Sequence, residues 1–233
     1  MLTVLHVINI VSFMKAKSSA HYQREYRKRL REQGFVKKEV WILPENAKLL
    51  IACEKKLRLR KTDGSLVDEN KSGEREMAKS KAVENVNVWT TTSLLDALRA
   101  EDLFVGGSAT IELIDGVSPT IHIEMKEYGD LPIFVTVSGE QILVEAVLWS
   151  LNEVVDVAAF NDAVLRTHKF FSLSTISLDK VGDEGDYYHM FGALSSTSLL
   201  SNVLFEIEVL ASNVIQATEA YGEFLSIPVA ASK

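Results

Sequence analysis

The sequence has little of what builds covalent, metal-bound or membrane-spanning structure. Cys53 is the single cysteine among 233 residues, which excludes an intramolecular disulfide and predicts a cytoplasmic location. The five histidines are scattered, so the close Cys and His spacing of a zinc site is absent. No apolar run reaches the roughly 18 residues of a membrane-spanning helix, so no transmembrane segment is predicted.

Motifs of catalysis and cofactor binding are also missing. Ser195 and Ser196 lie near His189 in the sequence, but no GxSxG motif frames a nucleophile there. The acidic loop around Asp183 lacks the ligand order of an EF-hand, and Gly106–Gly107 does not resemble a phosphate-binding loop. We therefore predict a protein that is not an enzyme and has no catalytic, cofactor-binding or metal-binding residues.

Residues 1–14 form an apolar extension that begins MLTVLHVINIVSF. The run is short, and it lacks both the positive start and the small-residue cleavage site of a signal peptide. We interpret it as a segment upstream of a working start at Met14. A short membrane-surface anchor is the alternative interpretation.

Charge is divided unevenly along the chain. Residues 1–83 hold 19 Lys and Arg against 10 Asp and Glu, whereas residues 84–233 hold 6 against 22. The net charges of the two parts are +9 and −16. A basic front on an acidic body indicates contact with nucleic acid or another acidic surface, unless the two parts simply attract each other.

The basic charge is concentrated in residues 15–61, where 15 Lys and Arg face 5 Asp and Glu. We predict a helix over 15–33 with Ser18 or Ser19 as its cap and Gly34 at its end, a strand over 36–43, and a helix over 45–60. The buried face of that second helix should comprise Leu49, Leu50, Cys53 and Leu57. Cations on these elements could neutralise phosphates; a solvated charged face is the alternative.

Residues 62–85 are polar and predict a disordered linker, and residues 86–233 follow as an acidic α+β domain. Its pattern predicts the order α-β-β-β-β-α-β-β-α and an antiparallel sheet. The predicted helices cover 92–104, a stretch opened by Asp156 with Val157, Phe160, Val164 and Leu165 inward, and 198–225. The predicted strands cover 109–114, 119–127, 132–138, 141–149, 171–179 and 187–195.

The last helix carries a long apolar stripe, with Ser198 as its cap. Steps of four and three residues place the stripe on one face, which needs a sheet or a partner helix to cover it. The stripe comprises Val203, Ile207, Leu210, Val214, Ala217, Tyr221 and Phe224. Glu206, Glu208, Asn213, Glu219 and Glu223 fall outside it. We predict a partner or dimer surface formed by Val203, Ile207, Leu210, Val214 and Tyr221.

The stretch YQREYRKRLREQGFVKKEVWILPE resembles the front of MazE-like bacterial antitoxins related to ribbon-helix-helix repressors. In those proteins a strand of this type enters the DNA major groove as part of a dimer. The resemblance implies that Lys37, Glu39 and Trp41, or the alternate set Lys38, Val40 and Ile42, face DNA. Together with the basic helix, the candidate nucleic-acid contacts are Arg24, Arg27, Lys28, Arg31, Lys37, Lys38 and Trp41.

From about Leu94 onward the chain resembles the YjfI family of uncharacterised bacterial proteins. The segments AAFNDAVLRTHKFFSLST and GALSSTSLLSNVLFEIEVLASN carry this resemblance. It implies a PspA-type membrane-stress protein as a partner. The element order is also similar to that of type III secretion chaperones, which implies a dimer that binds a client segment.

Two functions follow from these observations. The first is a non-enzymatic, chaperone-like protein-interaction module that forms a homodimer and holds a protein client. The alternative is a DNA-binding transcriptional regulator that reads DNA with residues 15–61 and uses the acidic domain as a sensor or dimeriser.

Overall fold

The computed structural model describes residues 18–37, 50, 53, 57, 88–116, 118–181 and 184–226. The chain divides into two compact units, one made of Met1–Phe35 and Val86–Lys233 and the other of Val36–Asn85. This division differs from the predicted one, because it groups the first basic helix with the acidic domain and separates it from the rest of 15–61. Of the predicted second basic helix, the structure describes Leu50, Cys53 and Leu57. All three are helical but exposed, so the prediction that they are buried is wrong. The strand predicted over 36–43 and the linker over 62–85 lie outside the described residues, except that Val36 and Lys37 are not in a strand.

The larger unit has the predicted mixed α+β architecture, with an antiparallel sheet. Its helices are α1 (Ser19–Glu32), α2 (Thr91–Arg99), α3 (Asp102–Val105), α4 (Val157–Thr167) and α5 (Leu200–Ala220). Its strands are β1 (Ala109–Ile114), β2 (Thr120–Met125), β3 (Leu131–Ser138), β4 (Gln141–Ser150), β5 (Thr175–Val181) and β6 (Gly185–Ser195). The helix predicted over 92–104 is interrupted, because α2 ends at Arg99 and α3 begins at Asp102.

Within the described residues, six strands form one sheet in the order β1-β2-β3-β4-β6-β5, and every neighbouring pair is antiparallel. The first four strands form a meander. The chain then leaves the sheet through α4 and returns with the β5–β6 hairpin, whose second strand pairs with β4. Val144 of β4 therefore faces Gly192 of β6 across the strands, and Val147 faces His189.

One face of the sheet packs against the helices and forms the main core. Ile123, Ile133 and Val144 on that face are fully buried, as are Val203, Ile207, Leu210 and Val214 of α5. The predicted apolar stripe is therefore covered by strands of the same chain. Helix α5 begins later than predicted, after Leu199, and Ser198 does not cap it.

An aromatic cluster closes the end of the core where α4 meets the end of α5. The Phe160 ring of α4 contacts the rings of Trp149, Tyr188 and Tyr221 at centroid distances of 5.7, 4.8 and 5.4 Å. Phe160 and Val164 are buried as predicted, but Leu165 is 76% exposed. The inward prediction for Leu165 is wrong because Phe160 and Val164 already fill the face of α4 that meets the core.

Helix α1 packs across α5 through small and polar groups. The hydroxyls of Ser19 and Thr218 lie 2.8 Å apart, and the Gln23 side-chain amide donates to the carbonyl of Ile215 over 3.3 Å. The Arg29 guanidinium makes a two-pronged hydrogen bond to the carboxylate of Asp130, with its shorter N···O distance at 2.6 Å. Side chains from both ends of the chain thus complete one unit.

The opposite face of the sheet has a small buried cluster of its own. Phe134, Val147 and Val181 are buried there, with Ile114 and Tyr187 packed against them. The His122 ring of β2 stacks on Phe134 at a centroid distance of 5.2 Å, and its Nδ1 lies 2.9 Å from a carboxylate oxygen of Glu112.

Candidate functional site

The predicted nucleic-acid residues on α1 divide between two faces of the helix. Arg24, Lys28 and Arg31 are exposed, and their spacing of four and three residues places them on one stripe. Arg27 points toward the body of the unit, where its guanidinium lies 3.0 Å from a carboxylate oxygen of Glu219. Lys37 is exposed, whereas Lys38 and Trp41 lie outside the described residues. The structure thus brings three of the seven predicted residues together on one accessible stripe.

The predicted partner surface on α5 is wrong. Val203, Ile207, Leu210, Val214 and Tyr221 are all buried inside the unit. Because β4, β6 and the other helices cover them, no partner can reach these side chains in the folded protein. The stripe is a core-facing surface, so an interaction site has to be sought elsewhere.

A groove lies where α4 and the end of α5 meet at the surface. It encloses about 560 Å³. Its floor is Tyr221, whose hydroxyl lies 2.7 Å from the hydroxyl of Thr167. The remaining lining residues are Ala163, Phe170, Phe171, Gln216, Glu219, Ala220, Glu223 and Phe224. Since the two hydroxyls satisfy each other, the groove presents aromatic and aliphatic surface to an incoming group, with carboxylates at one rim.

Two large apolar side chains stand in solvent on the segment that follows α4 and lines the groove through Phe170 and Phe171. Phe170 and Leu173 are 76% and 60% exposed, and we call these two residues the Phe170 patch. Leu165 is also exposed, but it lies on the face of α4 opposite to Ala163 and Thr167. Leu173 has a positive φ of 64°, a conformation that branched aliphatic residues rarely adopt. A cluster of exposed apolar groups beside a groove is typical of a protein-binding surface.

Asn213 of α5 fixes the segment that carries this patch. Its side-chain amide donates to the carbonyl of Ser172 over 2.8 Å and to the hydroxyl of Ser174 over 2.9 Å. The sequence pattern placed Asn213 outside the apolar stripe and so in solvent, but it is buried. The signal that could have found the patch is the FFSL run at 170–173, which the strand prediction absorbed.

Glu206 is a second residue that the helical pattern placed in solvent. It is 2% exposed, and its carboxyl group lies directly over Gly192 of β6. Its Oε1 atom has no hydrogen-bond partner among the described residues. Burial raises the pKa of the Glu206 carboxyl group to about 7, because the charged form loses its hydration in the core.

A buried histidine–glutamate pair lies on the other face of the sheet. The His189 Nδ1 atom is 3.6 Å from a carboxylate oxygen of Glu145, and the His189 side chain is fully buried. This separation is too long for a good hydrogen bond. Ser177, the neighbour of His189 on β5, donates its hydroxyl proton to Asp179 over 2.6 Å. The arrangement therefore lacks an accessible nucleophile directed at a base.

The described residues contain neither a metal-ligand cluster nor a helix that could cross a membrane. Among residues that the structure describes, no three His, Cys, Asp or Glu side chains come together as metal ligands. None of the described helices combines the length and hydropathy that crossing a bilayer requires.

The larger unit has an α+β fold in which helices pack on one face of an open antiparallel sheet. Residues 88–225 match the model of the family described as an uncharacterised protein conserved in bacteria (DUF2170). The chain belongs to this family, and α1 precedes the matched range.

The sequence is also similar to the uncharacterised protein YjfI of Escherichia coli. In strains K12 and O157:H7 the identity is 33% over 102 residues, which cover 44% of this chain and 76% of the relative. The predicted resemblance to the YjfI family is confirmed. No comparison tests the predicted likeness of residues 22–45 to MazE-like antitoxins.

Two solved structures align with part of the chain. An uncharacterised protein from Methanothermobacter thermautotrophicus aligns at a TM-score of 0.41 with 13% identity, covering 56% of this chain and 99% of that one. YbjN of Escherichia coli, a proposed transcription regulator, aligns at 0.36 with 18% identity, covering 57% and 95%. Neither likeness is close enough to bear on function.

Proposed function

We propose that this protein is a non-enzymatic protein-binding module and that its docking surface is the Phe170 patch with the adjoining groove. The observation that supports the proposal is the exposure of Phe170 and Leu173 beside an apolar groove on an otherwise acidic domain. Burying large apolar side chains of this kind against a partner releases roughly 1.5–3 kcal/mol each. The PspA-type protein implied by the YjfI resemblance is the first partner to test, and a second copy of the chain is the next.

The test is site-specific photocrosslinking in the native host, with the crosslinker at position 170. A crosslinked protein species should form in cells and should be lost when Leu173 is changed to Asp. Val105 is the matched control position, because it is 73% exposed and lies on α3, beside β1 at the opposite edge of the sheet.

Two results would contradict the proposal. One is the absence of any crosslinked species at position 170. The other is the same set of species from positions 170 and 105, because a specific surface cannot be shared by two distant sites. A species at twice the mass of the chain would identify the partner as a second copy.

We propose nucleic-acid binding as the second candidate function, because Arg24, Lys28 and Arg31 form one exposed cationic stripe on α1. Three cations at this spacing can neutralise phosphates on one side of a duplex without reading bases. The contribution to binding should therefore depend strongly on salt and little on sequence.

Fluorescence anisotropy with a labelled 30-base-pair duplex across a salt series tests this function. The triple change of Arg24, Lys28 and Arg31 to Gln should weaken binding and reduce the magnitude of the log–log salt slope by roughly 2–3. Lys180→Gln, an exposed cation on the edge strand β5, is the control and should leave the slope unchanged. Absence of binding at low salt would remove this function.

A further inference from the structure

The groove is shaped to receive side chains presented by a helix. Ala163 and Thr167 of α4 lie four residues apart on one wall, and Gln216 and Ala220 of α5 lie four apart on the other. The walls are therefore two helical surfaces with an apolar floor between them. A volume of about 560 Å³ holds two or three side chains rather than a whole polypeptide segment.

One rim of the groove attracts cations. Glu219 and Glu223 stand there four residues apart, and both are exposed. The guanidinium of Arg27 lies 3.0 Å from a carboxylate oxygen of Glu219, so Glu219 is already paired within the unit and Glu223 supplies the attraction for a partner's cation. The net charge of −16 on residues 84–233 adds a long-range attraction for a cationic partner.

The other rim has the opposite character. The Lys169 ammonium group lies 5.4 Å from the centroid of the Phe170 ring, at the end of the wall that continues from α4. A partner that lies in the groove with its cations near Glu223 keeps them away from Lys169. The charges thus fix an orientation as well as a composition.

We propose that the groove binds an amphipathic helix of another protein, which inserts two large apolar side chains one turn apart and directs a Lys or Arg toward Glu223. Such a helix presents its anchors at positions i and i+4, the spacing that matches a groove between two helices. This inference rests on the proposed protein-binding function and names the chemistry of its partner.

A display library of helical peptides, selected against the immobilised full-length protein, tests this inference. Enriched peptides should carry Leu, Phe or Met at i and i+4 with Lys or Arg on one flank. For a synthesised winner, Glu223→Lys should weaken binding by about tenfold, and exchanging the peptide's cation for Glu should restore part of the loss. Ala220→Phe, a surface change that fills the groove, should abolish binding.

Glu208→Lys is the matched control, because Glu208 is an exposed glutamate of α5 that does not line the groove. It carries the same charge change and should leave affinity within about twofold. Equal weakening by Glu208→Lys and Glu223→Lys would overturn the inference, since it would mean that net charge alone attracts the peptide.

The outcomes separate this inference from the proposed function. If selected peptides lose binding on Phe170→Asp but show no preference for Lys or Arg, the docking surface stands and the partner chemistry proposed here is wrong. If selected peptides bind regardless of Phe170→Asp and Ala220→Phe, or if no peptide is enriched, this inference fails, and crosslinking at position 170 decides the proposed function.

Discussion

Glu206 is the residue at which the sequence pattern and the packing disagree most. A carboxyl group that is buried among apolar side chains, without a hydrogen bond to Oε1 among the described residues, stays protonated well above its ordinary range. The pKa of about 7 in the folded protein compares with 4.5 for an unperturbed glutamate. The folded protein therefore binds a proton that the unfolded chain releases between these two values, and its stability falls as the pH rises through that window.

Glu206→Gln removes this dependence. At pH 8 the unfolding free energy of the variant should be about 2–3 kcal/mol above that of the parent protein. The reason is that the neutral amide of Gln leaves no charge to bury. At pH 4.5 the difference should be small, since Glu206 is then neutral in the folded state. Urea denaturation at pH 4.5, 6 and 8 measures both values.

Glu208→Gln is the control for this experiment, because the same change on the exposed side of α5 should have no pH-dependent effect in that range. A stability gain for Glu206→Gln that is equal at all three pH values would contradict the assigned cause.

Gly192 is required by the same contact. A Cβ atom at position 192 would lie 1.7 Å from Oε1 of Glu206, so any side chain there displaces the carboxyl group. We expect Gly192→Ala to cost roughly 1–3 kcal/mol of unfolding free energy. In a Glu206→Ala background the cost should be much smaller, and a double-mutant cycle from denaturation curves measures the coupling. Additive effects would show that the two residues do not interact.

At the scale of elements, polar and charged contacts hold α1 on the rest of its unit together with the buried side chains of Ala20 and Tyr22. Arg29 donates to Asp130 and to the carbonyl of Lys126, and the Tyr26 ring stacks on Tyr128 at a centroid distance of 5.4 Å. Gly129 permits this close approach, because a Cβ atom there would lie 2.8 Å from the carbonyl oxygen of Tyr22. The charged contact between Arg29 and Asp130 is screened by salt more than apolar packing is.

Arg29→Met should loosen α1 while leaving the sheet intact. Removing the two-pronged contact should cost about 1–2 kcal/mol locally, so amide hydrogen exchange over residues 20–32 should accelerate about tenfold. Exchange in β3 and β4 should stay unchanged. Arg31→Met, on the exposed stripe of the same helix, serves as the control, and equal acceleration by both variants would show that the Asp130 contact does not hold the helix.

Elements with strong local signals could be predicted from the sequence. Ser18 and Gly34 flank α1 as expected, β1 has its predicted bounds, and Asp156 caps α4. Turns at glycines, and apolar residues that recur every two or every three to four positions, are local properties. They can therefore be read from a single sequence. The antiparallel sheet follows from the short connections between strands.

Burial on α5 could not be predicted to the same extent, because it depends on partners from distant parts of the chain. The stripe from Val203 to Tyr221 identifies one buried face, but α1 covers a second face with Ile215 and Thr218. No local pattern reveals that a basic helix about 190 residues earlier lies there. The Phe170 patch was missed for a related reason. Whether an apolar residue is exposed depends on whether a distant part of the chain covers it.

At the scale of the whole molecule, the two signs of charge meet within one compact unit. Cationic α1 pairs with the acidic domain through Arg27 and Arg29, so part of the charge division serves intramolecular attraction. The outward stripe of α1 is the part that stays available for another molecule. The family match begins at residue 88, so α1 lies outside the matched range.

A fragment of residues 86–233, which lacks α1, tests how much α1 contributes to the stability of its unit. It should fold, because the sheet and α5 retain their core, but its unfolding free energy should be roughly 2–4 kcal/mol below that of the full chain. The loss reflects the exposed binding site of Tyr22 and the broken contacts of Ser19, Gln23 and Arg29. Thermal and urea denaturation of both proteins measure the difference, and equal stability would mean that α1 is energetically separate.

The contact between Ser19 and Thr218 can form only after the ribosome has synthesised α5. The two residues are 199 positions apart, and a ribosome adds roughly 5–20 residues each second. Helix α1 therefore emerges about 10–40 seconds before the surface that receives it. A ribosome that stalls ahead of α5 leaves α1 without its binding surface.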